Sequence, residues 1–202
     1  SRLAAIEEMA GVDILCSDKT GTLTKNQLTL GDPILLASKD PQDVILAASL
    51  ASKAEDRDVI DSAVLAALKD ADALKSWKIT NFVPFDPVSK RTEATATGAD
   101  GKSIVVTKGA PQAVVDLAKP SKDVADKVAE TVADLGAKGY RALGVARSAD
   151  GGRTWGLLGI LPMFDPPRDD SKETIDLVRS KGVAVKMVTG DDTAIARETA
   201  RP

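Results

Sequence analysis

Apolar positions along the chain change their period several times, and each change marks an element. Val12-Asp13-Ile14-Leu15-Cys16 is a short apolar stretch that reads as a buried strand ending at Ser17, after a helical end over Ile6 to Gly11. Asp40-Pro41 sets an N-cap residue before a proline at the first helical position, which predicts a helix to about Ala54. Ile60, Val64, Leu68 and Ala71 then recur at helical spacing and predict a second helical stretch from Asp58 to Trp77. Strand patterns follow at Ile79 to Phe85, Arg91 to Thr97 and Lys102 to Thr107, the last two joined by Gly98-Ala99-Asp100-Gly101 as a hairpin. Helices are predicted at Ala110 to Ala118 and at Lys122 to Lys138, where Gly139 can end the second. Tyr140 to Arg147 and Thr154 to Leu161 read as another hairpin around Asp150-Gly151-Gly152. After Asp165-Pro166-Pro167-Arg168 the pattern becomes βαβ-like, with a helix Ser171 to Lys181, a strand Val183 to Val188, the loop Thr189-Gly190-Asp191-Asp192 and a closing helix.

This order implies an α/β unit interrupted by an α+β insertion. Residues 1–31 and 162–202 would form one discontinuous domain and 32–161 a second, joined near Gly31-Asp32-Pro33 and Leu161-Pro162. No internal repeats or low-complexity tracts occur. The chain of 202 residues is 43% apolar and 28% charged but only 3% aromatic, so its cores must be built from Val, Leu, Ile and Ala. A net charge of −3 supplies no broad basic surface, which argues against a nucleic-acid partner. Histidine is absent, which excludes His catalysis and His metal ligation. Cys16 is the sole cysteine, so an intrachain disulfide and thiolate clusters are excluded, and it reads as a small buried strand residue rather than a redox switch. No apolar run approaches the roughly 18–20 residues of a membrane span and no signal peptide is visible, so a soluble chain that does not itself insert into a membrane is expected. Because it opens almost directly on a motif and stops at Arg201-Pro202 within a helical pattern, it reads as part of a longer protein.

The candidate chemistry begins at Asp18-Lys19-Thr20-Gly21-Thr22-Leu23-Thr24, directly after the first strand. An acidic residue at the C-terminal end of a strand, followed by a polar loop with Gly, sits where open α/β sheets place their chemistry. A carboxylate there can attack phosphorus if a cation neutralises the converging charges and backbone N–H groups cradle the phosphoryl group. The heptapeptide resembles the phosphorylation motif of P-type ATPases, in which the Asp becomes an aspartyl phosphate. Soluble phosphatases of the wider haloacid-dehalogenase-like group usually carry a second Asp two residues after the nucleophile, as acid and then base. Here that position is Thr20, which has no carboxylate to activate water, so the phosphoenzyme should persist.

Three further segments gain meaning beside this motif. Thr189-Gly190-Asp191 offers a hydroxyl and N–H groups at a helix N-terminus suited to phosphate, although alone it reads equally well as a helix cap. Lys108-Gly109-Ala110-Pro111 supplies a cation and a Gly that lets backbone approach a ligand; on its own it is also a solvated Lys before a helix. In Phe82-Val83-Pro84-Phe85-Asp86-Pro87-Val88-Ser89-Lys90-Arg91 an aromatic ring lies near two cations, a combination suited to a purine and its phosphates and equally to a core Phe with surface cations.

KGAP, FDPVSKRT, DPPR and TGD occur in the order and approximate spacing of the P-type ATPase cytoplasmic loop, so the resemblance covers essentially the entire chain. Ala5-Ile6-Glu7-Glu8-Met9-Ala10-Gly11, Phe85-Asp86-Pro87-Val88 and Leu161-Pro162-Met163-Phe164 followed by DPPR look most like the plasma-membrane proton-pump branch. The resemblance implies an α/β, haloacid-dehalogenase-like (Rossmann-like) phosphorylation domain with an incomplete parallel sheet and an inserted α+β nucleotide-binding domain on an antiparallel sheet. It implies Asp18 as nucleophile, Lys19 and Thr189 on the phosphoryl group, Thr20, Gly190 and Asp191 in the same catalytic set, and Mg²⁺ on the Asp18 carboxylate and the Thr20 main-chain carbonyl. It puts Phe85 on adenine, Asp61 at the adenine amino edge, and Lys90, Lys108, Gly109, Arg141, Asp165 and Arg168 in nucleotide binding. A helical Asp61 on a polar face is otherwise a solvated residue. The implied partners are ATP, an actuator domain and transmembrane helices, at the cytoplasmic face of the plasma membrane. The family's later metal-binding segment and its phosphoryl-steadying Lys have no match in this chain. The chain by itself is therefore expected to bind ATP weakly, to turn it over poorly or not at all, and to carry a marginally stable phosphorylation-domain sheet. Two other functions stay open on the residues alone: a soluble aspartate-nucleophile phosphatase with a cap domain, and a nucleotide-binding module without turnover.

Overall fold

A computed structural model describes residues 11–53 and 58–189. In chain order its elements are β1 (Ile14–Asp18), β2 (Thr29–Leu30), β3 (Ile34–Leu35), α1 (Pro41–Leu50), α2 (Val59–Ala66), α3 (Asp72–Lys75), β4 (Trp77–Asp86), β5 (Arg91–Gly98), β6 (Ser103–Gly109), α4 (Pro111–Ala118), α5 (Lys122–Ala137), β7 (Arg141–Ser148), β8 (Gly156–Phe164), α6 (Ser171–Ser180) and β9 (Ala184–Val188). The chain divides into two compact units, Ser1–Gln27 with Asp165–Pro202, and Leu28–Phe164. The helical end expected before Gly11, the residues Gly190 and Asp191 and the closing helix lie outside the described residues.

The Leu28–Phe164 unit is organised by an antiparallel sheet in the order β2-β8-β7-β6-β5-β4, with β3 also paired to β8. Strand alternation sends neighbouring side chains to opposite faces. On β7, Val145 joins a core with Val44, Ala48 and Val64 of α1 and α2, whereas Ala146 joins one with Val114 of α4 and Val128 of α5. Helices therefore cover both faces, and the aliphatic composition is sufficient to fill both layers. The Asp40 carboxylate accepts from Gln42 N at 2.9 Å, the N-cap bond that starts α1 at Pro41. Gly139, at φ 75°, ends α5 with Tyr140 N donating to Leu135 O at 2.8 Å.

One predicted element is corrected. The helical stretch expected from Asp58 to Trp77 is broken into α2 and the short α3, and Trp77 opens β4 opposite Gly98. Asp70 is the physical reason: its carboxylate accepts from Asp72 N at 3.0 Å, so the backbone turns and restarts instead of continuing.

In the other unit β1 and β9 run parallel, in register from Ile14 opposite Ala184 to Asp18 opposite Val188. The parallel sheet and the separate antiparallel sheet are the two sheets that the resemblance implies. The expectation of a buried first strand is overturned, because Val12, Ile14 and Leu15 are exposed and only Ser17 of β1 is buried. Cys16 is likewise exposed rather than a small buried residue. Among the described residues this sheet has two strands, too few to enclose a strand on both faces.

Candidate functional site

Asp18 ends β1 level with Val188, the last residue of β9, and Thr189 follows directly. The Asp18 carboxylate and Thr189 thus come from the C-terminal ends of adjacent parallel strands, the edge at which open α/β sheets bind ligands. Asp18 and Thr20 are exposed, and Lys19 is buried. Lys19 to Leu23 make a wide turn closed by Thr24 N donating to Lys19 O at 3.0 Å, with Gly21 at φ 78°.

Thr24 is the buried centre of this loop. Its hydroxyl donates to the Asp165 carboxylate at 2.5 Å, which leaves a lone pair for Gly21 N–H at 3.3 Å. The second Asp165 oxygen accepts from Gln27 N at 3.1 Å, Lys25 N donates to Pro166 O, and Arg168 N donates to Leu23 O. The DKTGTLT and DPPR segments are therefore stitched together, far apart in sequence. Asp165 is engaged in holding this loop, and Arg168 lines a cleft of about 490 Å³ with Asp18, Ser171 and Thr174. Neither residue lines the larger cavity of the other unit.

Among the described residues no group of three or more His, Cys, Asp or Glu forms a ready metal cage. The donor set still fits Mg²⁺. A carboxylate and a main-chain carbonyl are hard oxygen ligands, and Mg²⁺ keeps several waters and binds through one or two carboxylates with substrate phosphates.

The Leu28–Phe164 unit holds a cavity of about 790 Å³ lined by Asp61, Phe85, Lys90, Lys108, Gly109 and Arg141 among others. All six were singled out in the sequence, and the fold brings them together from α2, from β4, β6 and β7 and from the turn between β4 and β5. Phe85 is 60% exposed, so it is no core residue. Arg141 and Lys90 are exposed at the same opening.

Lys108 and Asp61 differ from both simpler readings. They are buried and paired, Lys108 Nζ to Asp61 Oδ1 at 2.6 Å, with the Lys108 side chain only 4% exposed. The other Asp61 oxygen accepts from Lys53 N at 2.8 Å. Lys108 Nζ also donates to Thr92 Oγ1 at 3.3 Å, and Thr92 Oγ1 donates to Ala51 O at 2.7 Å. Thr92, a buried polar residue at the cavity floor, was missed in the sequence; its place after Lys90-Arg91 at the start of a strand was the available signal. Gly109 serves the protein's own backbone: a Cβ there would strike Lys90 O and the Arg91 Cα, so Gly allows β6 and the turn before β5 to close together. Asp86 was also unassigned. The N–H groups of Ser89 and Val88, with the Ser89 hydroxyl, hold its carboxyl below the ordinary value.

Comparison with known proteins agrees with these features. The profile of the haloacid dehalogenase-like hydrolases matches residues 12–202. A protein named as a cation-transporting ATPase from Methanocaldococcus jannaschii is 50% identical over 99% of this chain, which spans 25% of that protein. Plasma membrane ATPase 2 of Schizosaccharomyces pombe is 47% identical over 99% of the chain, which spans 21% of it. The chain thus covers about a quarter of the length of the curated relatives it matches. Among solved structures, a zinc-transporting PIB-type ATPase in its E2.Pi state matches 94% of the chain with a TM-score of 0.66 at 20% identity, a likeness of fold. Across nearly its whole length the chain is thus similar to cation-transporting and plasma membrane ATPases, and it belongs to the haloacid dehalogenase-like hydrolases.

Proposed function

We propose that this chain is the catalytic portion of an ATP-driven cation pump, most like the proton-pumping branch, and that Mg·ATP phosphorylates Asp18. The observation that carries the reading is the exposed Asp18 carboxylate at the end of β1, beside Thr189 at the end of β9. An Asp18 Oδ attacks the γ-phosphorus in line; the bond to the β–γ bridging oxygen breaks, ADP leaves with that electron pair, and an acyl phosphate forms. Lys19 and Thr189 hold the phosphoryl oxygens. The Asp18 carboxylate and Thr20 carbonyl would hold Mg²⁺, which when bound would supply charge neutralisation for the converging oxyanions. Thr20 cannot deprotonate water, which keeps the acyl phosphate alive for a conformational step.

The Leu28–Phe164 unit acts as the nucleotide-binding domain, and the segments around it act as the phosphorylation domain. Phe85 stacks on the base, with Lys90 and Arg141 towards the ribose and phosphates. The Lys108–Asp61 pair forms the pocket floor. An actuator domain and transmembrane helices of the parent protein would complete the cycle at the cytoplasmic face of the plasma membrane. No helix among the described residues is long and apolar enough to cross a membrane.

Two measurements test the reading. Titration calorimetry of the chain should show ATP binding in the high-micromolar to millimolar range, weakened by Lys108→Ala. In the intact pump, γ-labelled ATP should give an acid-stable, hydroxylamine-labile phosphoprotein that Asp18→Asn abolishes while nucleotide affinity persists. Labelling that survives Asp18→Asn would move the nucleophile elsewhere.

A further inference from the structure

The turn between β4 and β5 links two cavity-lining side chains of opposite chemistry, Phe85 and Lys90. Neither is held by burial, since both are exposed, so their positions follow the backbone between them. That backbone is clamped by Asp86. One carboxylate oxygen accepts from Val88 N at 3.2 Å and the other from Ser89 N at 2.9 Å, while the Asp86 carbonyl accepts from Lys90 N at 2.7 Å. Lys90 is thereby held at φ 53°, a left-handed conformation uncommon outside Gly and Asn. The Lys90 carbonyl then accepts from Ala110 N at 2.9 Å, which ties the turn to Lys108-Gly109-Ala110 across the space that Gly109 leaves free.

A Gly at 90 would form this turn at lower cost. The chain instead keeps a cation there and an exposed ring at 85. We propose that Asp86 is a positioning residue of the cavity, its carboxylate holding the turn in the shape that presents Phe85 to a nucleobase and Lys90 to phosphate. This rests on the reading that the cavity takes a nucleotide. Asp86 itself points into its own turn and touches no ligand; its effect passes through the two neighbours.

The test uses three probes titrated into the chain and followed by amide NMR: ATP, adenosine and inorganic tripolyphosphate. Phe85→Ala should weaken adenosine and leave tripolyphosphate unchanged, and Lys90→Ala should do the reverse. Asp86→Ala should weaken all three, each several-fold, with the dispersed spectrum of the rest of the unit retained. Asp86→Asn keeps one acceptor but turns an NH₂ towards the second N–H, so it should fall between the two. If Asp86→Ala does not fold, Asp86→Asn carries the test by the same criterion, a joint loss of both partial probes. Wild-type affinities in a folded Asp86 variant, or a loss confined to one of the partial probes, would overturn the proposal. A wild-type chain that binds none of the three would instead overturn the nucleotide reading, and this one with it.

Discussion

The two units of the chain solve different problems with different amounts of burial. Leu28–Phe164 encloses two apolar cores on either face of a seven-stranded sheet, and its cavity is lined by residues of that unit alone. The unit that carries Asp18 presents, among its described residues, a two-stranded parallel ladder with Ile14, Leu15 and Val188 open to solvent. Among those residues the motif loop is held by hydrogen bonds that Asp165 accepts from the Thr24 hydroxyl and Gln27 N. A cavity can therefore be a property of one sheet, while the place of Asp18 follows from the register of two parallel strands.

The largest effect should separate the two units directly. In amide hydrogen exchange, the central strands β5, β6 and β7 should exchange orders of magnitude more slowly than β1 and β9, because exchange tracks the cost of local opening. Equal protection in both would break the contrast. Next, Lys108→Met leaves Asp61 buried without its cation and should destabilise the Leu28–Phe164 unit by about 3–5 kcal/mol. Trp77 and Trp155 both lie in that unit, so a urea melt followed by Trp fluorescence reads it alone. A loss under 1 kcal/mol would show that water reaches Asp61 and that the floor is softer than its burial implies.

Smaller still, Asp40→Ala removes the α1 cap and should cost about 1 kcal/mol by the same melt, with no change at β1 or β9. The smallest effect is acid dependence at the β7–β8 turn. The Asp150 carboxyl accepts from the Thr154 hydroxyl and N–H, from the Ser148 hydroxyl and from Arg153 N, which hold it well below its ordinary value of 3.8. A depressed folded value favours the folded state above the ordinary one, and that contribution is lost as pH falls below it. Asp150→Asn should flatten this part of the stability–pH curve between pH 4 and pH 2, seen as a smaller drop in melting temperature.

Local chemistry was readable wherever a short segment carries its own instructions. Asp40-Pro41 starts a helix, Gly139 stops one, and both Gly-containing turns close hairpins, because capping and positive φ are decided within a few residues. Trp77 was misread because helical spacing at Ile60, Val64 and Leu68 ran on past Asp70, whose carboxylate offers the backbone a competing turn. Cys16 and Leu15 were misread because an apolar run does not state how many strands will cover it. The resemblance singled out both Asp61 and Lys108, but their buried pairing could not be read, since the two lie 47 residues apart.

By itself the sequence determined which groups are at hand: a carboxylate in DKTGTLT without a second acid at Thr20, no His, and a ring beside two cations at Phe85, Lys90 and Arg91. Those are properties of residue identity and short-range order. Only the tertiary structure decided that Lys108 spends its charge on buried Asp61, that Gly109 makes room for Lys90 O rather than for a ligand, and that Asp165 holds Thr24 in the motif loop. Each joins residues distant in the chain, and such pairings are set by which strands align and what they bury, a balance that no single segment encodes.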